Sequence, residues 1–318
     1  MHAAVVREFA RSPRYEEFDA PTATRPTEEV VDVIASGLHP RVRSQADGSH
    51  YTSTDELPLI PGIDGVGRRA DGSLVYFLLP DTTMGAMAEQ TVIDVRRSIP
   101  LPADTDAVRL AAAMNPAMSS WVALHKRATL TPGQSVLVLG GTGSAGRLAI
   151  QVARRLGAGS VIAAGRGAER LATLGALGAD ETIDLAAAPD AVAADLATKA
   201  ADVDVVLDYL WGTPTEDAIM PLLQGRADRS KALTWIEIGS VAGATIALPS
   251  AALRQANLRF VGSGQGSVSA AGILSTLPAL VDEINAGTFA VDAVARPLSD
   301  VEALWSNSAT NERIVLTP

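Results

Sequence analysis

The segment Ser135–Gly157, SVLVLGGTGSAGRLAIQVARRLG, limits what this chain can fold into more than any other stretch. Ser135–Leu139 is a short apolar run of the kind that forms a buried strand. It enters a glycine turn in which Gly141, Gly143 and Gly146 fit the pattern G-x-G-x-x-G. Beyond the turn, Ala145, Leu148, Ala149, Val152, Ala153 and Leu156 recur at helical spacing and make one apolar face. Arg147, Gln151, Arg154 and Arg155 fall on the other faces, and Gly157 stands where a C-cap would. Strand, glycine turn and amphipathic helix in that order form the opening unit of a parallel α/β sheet.

The same context gives the glycines a chemical reading. Gly141 suits the tight turn, Gly143 lets a pyrophosphate approach the backbone, and Gly146 lets the helix pack close to the sheet. The helix N-terminus then offers unpaired N–H groups and a partial positive charge. Gly141, Thr142, Gly143, Ser144, Ala145 and Gly146 are therefore the candidate dinucleotide contacts. About 20 residues further on, an NAD site usually carries Asp or Glu for the ribose 2′-hydroxyl. This chain reads Ala164-Gly165-Arg166-Gly167, with Arg170 one helical turn later. A guanidinium forks onto a phosphate through paired charge-assisted bonds, so Arg166 favours the 2′-phosphate of NADP(H). Gly165 and Arg170 join the candidate set.

Further strands are expected at Ser160–Ala164, Glu181–Leu185, Val203–Tyr209, Ala232–Ile238 and Asn257–Val261, alternating with helical patterns. Their carboxyl ends place Asp208 and Tyr209, Gly239 and Ser240, and Ser263 and Gly264 at the edge where open α/β sheets bind ligands. The first 115 or so residues have a different texture. Ala3–Val6, Glu29–Ile34 and Leu74–Leu79 are short apolar segments between Pro, Gly and Asp clusters. Leu57–Gly67 holds three glycines and two prolines in eleven residues, and a small irregular β-barrel is expected there. After Ser263, a helix is expected over Ile273–Ile284, a shorter one over Val301–Ser306 and a last strand over Arg313–Leu316. The length of 318 residues agrees with two domains.

Composition removes whole classes of chemistry. With no cysteine, the chain forms no disulfide, no Cys-ligated zinc site, no iron–sulfur cluster and no thiolate nucleophile. The four histidines, His2, His39, His50 and His125, have no metal-motif spacing, so no metal is expected. A net charge of −10 argues against a broad nucleic-acid surface. No apolar run reaches the roughly 18 residues of a membrane span. The N-terminus lacks a signal-peptide core, which gives a cytoplasmic expectation. Without a G-x-S-x-G elbow, Ser-His-Asp hydrolysis has no support.

Ordered blocks along nearly the whole chain carry a resemblance. They are IASGLHPRV around Gly37, LIPGIDGVG at 59–67, GAMAEQTVI at 85–93, LAAAMNPAMSSWVAL at 110–124, the glycine fingerprint, DVDVVLDYLWG at 202–212, and ARPLSDVEALW followed by RIVLTP at the end. Together they resemble the medium-chain dehydrogenase/reductase superfamily, in its zinc-free quinone oxidoreductase (zeta-crystallin-like) branch. The resemblance implies an α/β fold class: a GroES-like β-barrel catalytic domain over 1–116 and 264–318, and a Rossmann doubly wound parallel-sheet domain over 117–263. It further implies an active site in the cleft between them.

In zinc-dependent relatives, Cys, His and Cys hold the catalytic metal. The positions that line up here are His39, Ile63 and Asn115, and Ile63 cannot ligate. The branch usually reads Gly-Leu-Asn-Pro with Asp two residues later; here His39 replaces the Asn and Val42 the Asp. His39 has two readings, a donor or proton shuttle toward substrate, or a side chain filling the Asn position. Tyr51 aligns with a tyrosine that often lines the cleft, where its phenol would meet a developing oxyanion; the alternative is simple packing. Asn115 stands at the domain junction, facing cofactor or substrate, and Ser119 and Ser120 open the same cleft. Asp64 lies near the cleft, and a turn-capping role is favoured for it. His39, Tyr51 and Asn115 are the candidate catalytic residues.

The leading expectation is a zinc-independent, NADPH-dependent oxidoreductase that reduces a quinone, an enal or an enone by hydride transfer. The alternatives are a zinc-free NADP-dependent alcohol or ketone oxidoreductase, and a nonenzymatic NADPH-binding sensor or structural protein. A homodimer is expected through the edge strand Asn257–Val261, where Leu258, Phe260 and Val261 leave an apolar edge.

Overall fold

The computed structural model describes residues 1–9, 11–306 and 313–318. Short β-favouring segments open the chain: β1 (His2–Val5), β2 (Arg14–Glu17) and β3 (Glu28–Gly37). Helix α1 (Pro40–Ala46) follows, then β4 (Asp64–Arg68), β5 (Leu74–Leu78), β6 (Gln90–Asp94) and β7 (Ser98–Leu101). Helix α2 (Ala107–Ala123) leads into an alternating series. This runs β8 (Ser135–Leu139), α3 (Ser144–Arg155), β9 (Ser160–Gly165), α4 (Ala168–Ala172), β10 (Glu181–Asp184) and α5 (Pro189–Lys199). It continues with β11 (Val205–Asp208), α6 (Gly212–Gly225), β12 (Leu233–Glu237), α7 (Ser250–Gln255) and β13 (Leu258–Gly262). The chain closes with α8 (Ala270–Leu274), α9 (Leu277–Asn285), β14 (Ala293–Pro297), α10 (Val301–Trp305) and β15 (Arg313–Thr317).

Two units result, Met1–Asn115 with Val281–Pro318, and Pro116–Leu280. The first holds a mostly antiparallel sheet in the order β14-β15-β3-β4-β5-β7, with β6 also on β3 and a separate β1–β2 ribbon. Among the described residues only the β14–β15 pair in it is parallel. In β3, Val31, Val33 and Ala35 are buried while Asp32 is exposed, the alternation of a strand with one covered face. Val31, Val33, Val75, Phe77, Leu79, Ala86 and Ile93 form one core beside this sheet.

The second unit is a six-stranded parallel sheet in the order β10-β9-β8-β11-β12-β13. Its central strands are apolar almost throughout because helices cover both faces. The order reverses between β8 and β11, and such a reversal opens a crevice at the carboxyl ends of the strands. The glycine turn leaves β8 at that point. All six expected strands of this sheet are present, with ends shifted by no more than two residues.

The helix expected over Ile273–Ile284 is instead two, α8 and α9, with Ser275 and Thr276 between them. Pro278 is the reason. It has no N–H to give the Leu274 carbonyl, and its ring would clash there, so it sits at the second position of a new helix. The break also frees the Thr276 carbonyl, which accepts from Trp121 Nε1 at 3.0 Å. Through that bond, and through Arg127 to the Ser267 carbonyl, residues 264–280 pack with the parallel-sheet unit rather than with the first.

Pro116 lies inside α2 and likewise leaves the Ala112 carbonyl without its helical donor. The buried Arg313 supplies one, with Nε 3.2 Å from that oxygen. A charged residue at the head of the last strand thereby satisfies a backbone group more than 200 positions earlier.

Candidate functional site

The turn after β8 is built by backbone contacts. Gly140 and Gly141 both donate to the Ala164 carbonyl at the end of β9, at 2.9 and 2.8 Å, and Gly143 donates to the Gly140 carbonyl at 3.0 Å. The left-handed residue is Gly140, with φ +90°, so the turn role expected of Gly141 belongs to its neighbour. Gly141 serves packing, since an added Cβ would meet the Ala163 Cβ at 3.0 Å. Gly146 behaves as expected: a Cβ there would lie 2.1 Å from the Gly140 carbonyl oxygen. Gly143 differs from both. The nearest atom to an added Cβ is 3.4 Å away, so no protein atom explains this glycine, and it borders open space.

That space lies at the N-terminus of α3. Gly143 is its N-cap, no side chain caps the first turn, and no acidic residue stands there. The N–H groups of Ser144, Ala145 and Gly146 are thus left for an anion. Thr142 folds over Gly165, whose added Cβ would meet the Thr142 side chain at 2.7 Å. Arg166 and Arg170 follow on the exposed side of the same edge, and among the described residues neither guanidinium has a hydrogen-bond or ion-pair partner. An uncapped helix start, a glycine facing open space and two uncommitted guanidiniums fit the pyrophosphate and 2′-phosphate of NADP(H).

Asp208, at the end of β11, is completely buried, and its carboxylate accepts four hydrogen bonds. Oδ1 takes the Leu210 and Trp211 N–H groups at 2.9 and 3.0 Å. Oδ2 takes Thr215 Oγ1 at 2.6 Å and Trp235 Nε1 at 2.9 Å. The clamp holds Trp211 at φ +54°, a region few side chains occupy. Asp208 is fully committed to this turn. Tyr209 is committed too. Ser119 Oγ gives its hydrogen to the Pro116 carbonyl at 2.7 Å, so across the 2.9 Å contact the Tyr209 hydroxyl is the donor. Burial pushes this phenol up to about 12. Gly239 stands behind Tyr209 at the end of β12, Ser240 is exposed, and Ser263 and Gly264 follow β13 at the same edge of the sheet.

The first unit carries a second cluster. His39 immediately precedes α1 and is 2% exposed. Its Nε2 lies 3.4 Å from Asp64 Oδ1, and Tyr76 donates to Asp64 Oδ2 at 2.7 Å. Asp64, also 2% exposed, is the first residue of β4, so it does not cap the turn as expected. Instead it anchors an imidazole and a phenol. Burial pushes His39 down to about 4; Asp64 opposes this, while Arg313 and Arg41 add to it. Burial raises the Tyr76 phenol well above its usual range, and Asp64 adds to the rise. Burial lowers Arg313 to about 10 against the pull of Asp64.

Sequence reasoning alone does not single out Tyr76 and Arg313. Their signals are faint ones: a tyrosine inside the apolar run LVYFL needs a polar partner, and so does an arginine opening a buried strand. Tyr51 stands apart from this buried group, 72% exposed with its ring stacked on His50 at 4.4 Å. Asn115 is half-buried in α2, beside Pro116. Ile63 is buried, and among the described residues no group of three or more His, Cys, Asp or Glu is placed to hold a metal. Among the same residues no helix is long and apolar enough to cross a membrane.

Comparison with known proteins agrees with this geometry. The family model for zinc-binding dehydrogenase matches residues 145–224, from the start of α3 to the end of α6. That segment contains no histidine and no cysteine, so the match concerns the cofactor side of the family and not its metal. A protein of Emericella nidulans named "Probable NADPH-dependent quinone reductase tdiC" is 28% identical over 100% of both chains. The chloroplastic NADPH-dependent alkenal/one oxidoreductase of Arabidopsis thaliana is 28% identical over 49% of this chain and 44% of its own. Among solved structures, the quinone oxidoreductase of Thermus thermophilus, also determined with NADPH, superposes with a TM-score of 0.83. It is 26% identical, and each chain is covered completely.

Proposed function

From the premise that this chain belongs to the medium-chain dehydrogenase/reductase superfamily, in its quinone oxidoreductase branch, we propose that it is an NADPH-dependent oxidoreductase acting on a quinone or an α,β-unsaturated carbonyl. The observation that carries the cofactor assignment is the cradle after β8: Gly143 borders open space, α3 is uncapped, and Arg166 and Arg170 lack partners among the described residues. Relatives named for NADPH-dependent quinone and alkenal reduction support the reaction class.

The residues then divide the work. Backbone N–H groups at the head of α3 receive the pyrophosphate, and Gly143 leaves it room. Arg166, helped by Arg170, takes the 2′-phosphate. Thr142 and Gly165 shape the wall between those two contacts. Tyr209, Gly239, Ser240, Ser263 and Gly264 border the nicotinamide end, with the Tyr209 hydroxyl engaged by Ser119. The bound cofactor supplies the hydride. With Ile63 at the place of a metal ligand, the developing negative oxygen is met by hydrogen-bond donors, and Tyr51 and Asn115 are the proposed ones. His39 is the proposed polar neighbour of the substrate.

The test is NADPH consumption with a panel of quinones, enals, enones and ketones, with and without exhaustive chelation. Turnover of a quinone or enone at an unchanged rate after chelation is expected. Tight NADPH binding without turnover of any of them would overturn the assignment, as would a requirement for one zinc per chain. A homodimer through β13 belongs to the same proposal. Leu258, Phe260 and Val261 are half-buried on the last strand of the sheet, and an apolar edge invites pairing. Val261→Asp is expected to shift sedimentation toward monomer. A cytoplasmic location completes the proposal, with cell fractionation as its check.

A further inference from the structure

The buried cluster around His39 determines more than the position of a ring. A carboxylate has no hydrogen to give, and Asp64 Oδ2 already accepts from Tyr76. Across the 3.4 Å contact the imidazole must therefore be the donor, through Nε2–H. His39 makes no capping bond to α1, and among the described residues its other nitrogen has no hydrogen-bond partner. In a neutral ring that nitrogen, Nδ1, is a bare lone pair.

We propose that Asp64 and Tyr76 are positioning residues that fix His39 as the neutral Nε2–H tautomer, so that Nδ1 accepts a hydrogen bond from a substrate hydroxyl and does not donate to the reduced oxygen. This rests on the reading of His39 as a neighbour of the substrate. The preferred substrate is accordingly a quinone or enone that carries a hydroxyl beside the reacting carbonyl. The proton that completes the reduced product then does not come from His39 Nδ1.

The charged and titratable groups around the ring agree. Asp64 reaches it from β4, Tyr76 from β5 by way of Asp64, Arg41 from α1 and Arg313 from β15. One carboxylate faces two guanidiniums, and burial adds to the guanidiniums' effect, so the ring stays uncharged near neutral pH. The arrangement is particular to a chain with His at position 39, since an amide there has no tautomer to fix.

With only four histidines in the chain, nitrogen-15 histidine labelling reports each ring directly. The measurement is the long-range proton–nitrogen correlation spectrum of the protein with NADPH, from pH 5.5 to 8, with His39 assigned by its loss in His39→Asn. The expected result is the Nε2–H tautomer without titration in that range. Mixed tautomers are expected in Asp64→Asn, whose amide can donate as well as accept, whereas Tyr76→Phe leaves the carboxylate an acceptor and keeps the Nε2–H tautomer. An Nδ1–H or charged His39 at pH 7 overturns the proposal, and so does an unchanged tautomer in Asp64→Asn. Should Asp64→Asn fail to fold, the tautomer of the unmodified protein still decides.

A second readout compares a hydroxyquinone with its O-methyl ether. The expected preference for the hydroxyl in kcat/KM is about fivefold to tenfold, one hydrogen bond's worth, and it should shrink in Asp64→Asn. Equal loss on both substrates in that variant marks a merely structural role and overturns the positioning claim. Absence of turnover on every quinone and enone, with the tautomer as expected, overturns the functional reading alone.

Discussion

The glycine cradle of the second unit and the His39 cluster of the first are both small, polar and exacting, but they are assembled over very different distances along the chain. The cradle is local. Gly140 to Gly146 lie within one turn, and their partners Ala163 to Gly165 come from the next strand. The cluster joins residues 25 positions apart at His39 and Asp64 and 12 apart at Asp64 and Tyr76, with Arg313 from the end of the chain. A local device leaves a spacing pattern, because steric rules act on neighbours. A long-range device leaves no spacing, only isolated polar residues in apolar surroundings.

Breaking the cradle should give the largest effect. Gly146→Ala improves helix propensity, yet its Cβ would sit 2.1 Å from the Gly140 carbonyl oxygen. The expected cost is about 3 kcal/mol of stability or more, read by denaturant unfolding, together with loss of NADPH binding. A stable variant with normal affinity would show that the turn is not rigid.

The His39 cluster should be sensitive to acid. The folded-state value near 4 lies below the ordinary value of 6.5, so between those limits the unfolded chain binds more protons than the folded one. Stability therefore rises with pH across that window. The contribution is fully present above about 6.5 and is lost as pH falls toward 4, by up to about 3 kcal/mol. The difference between the unmodified protein and His39→Asn, followed by chemical unfolding from pH 4 to 8, isolates this slope. Parallel curves would mean that the imidazole is not held neutral by burial.

Arg166→Ala sharpens the comparison at the cradle. It should weaken NADPH about tenfold to a hundredfold, the range of a charge-assisted hydrogen bond, and leave NADH nearly unchanged. Equal loss of both cofactors, measured by titration calorimetry, would remove the 2′-phosphate assignment. The smallest effect is expected from Tyr209→Phe, which deletes the 2.9 Å bond to Ser119. About 1 kcal/mol of thermal stability should go, and NADPH affinity should barely change because that hydroxyl has no hydrogen left for the cofactor. A large loss of affinity would show that Tyr209 contacts the cofactor through its hydroxyl.

Legibility follows the same division. The strands of the parallel sheet are readable because each is an apolar run closed by turn residues, and the helix after β8 because its face repeats at helical spacing. The packing role expected of Gly146 is the one it has, whereas the left-handed turn residue is Gly140 and not Gly141. The fingerprint spacing cannot tell two adjacent glycines apart; the backbone path over Ala164 does. Pro278 lies inside a helical pattern that periodicity reads as continuous and that its ring divides.

The sequence by itself determined the α/β class, the glycine cradle and the exclusion of cysteine chemistry. These follow from residue identity and short-range sterics, which need no knowledge of the rest of the chain. Tertiary structure alone decided that Asp64 grips His39 and Tyr76, that Arg313 satisfies the carbonyl freed by Pro116, and that Asp208 is consumed by its own turn. Each is a buried polar group whose burial is tolerable only with a partner, and the partner is chosen by packing in space rather than by position along the chain.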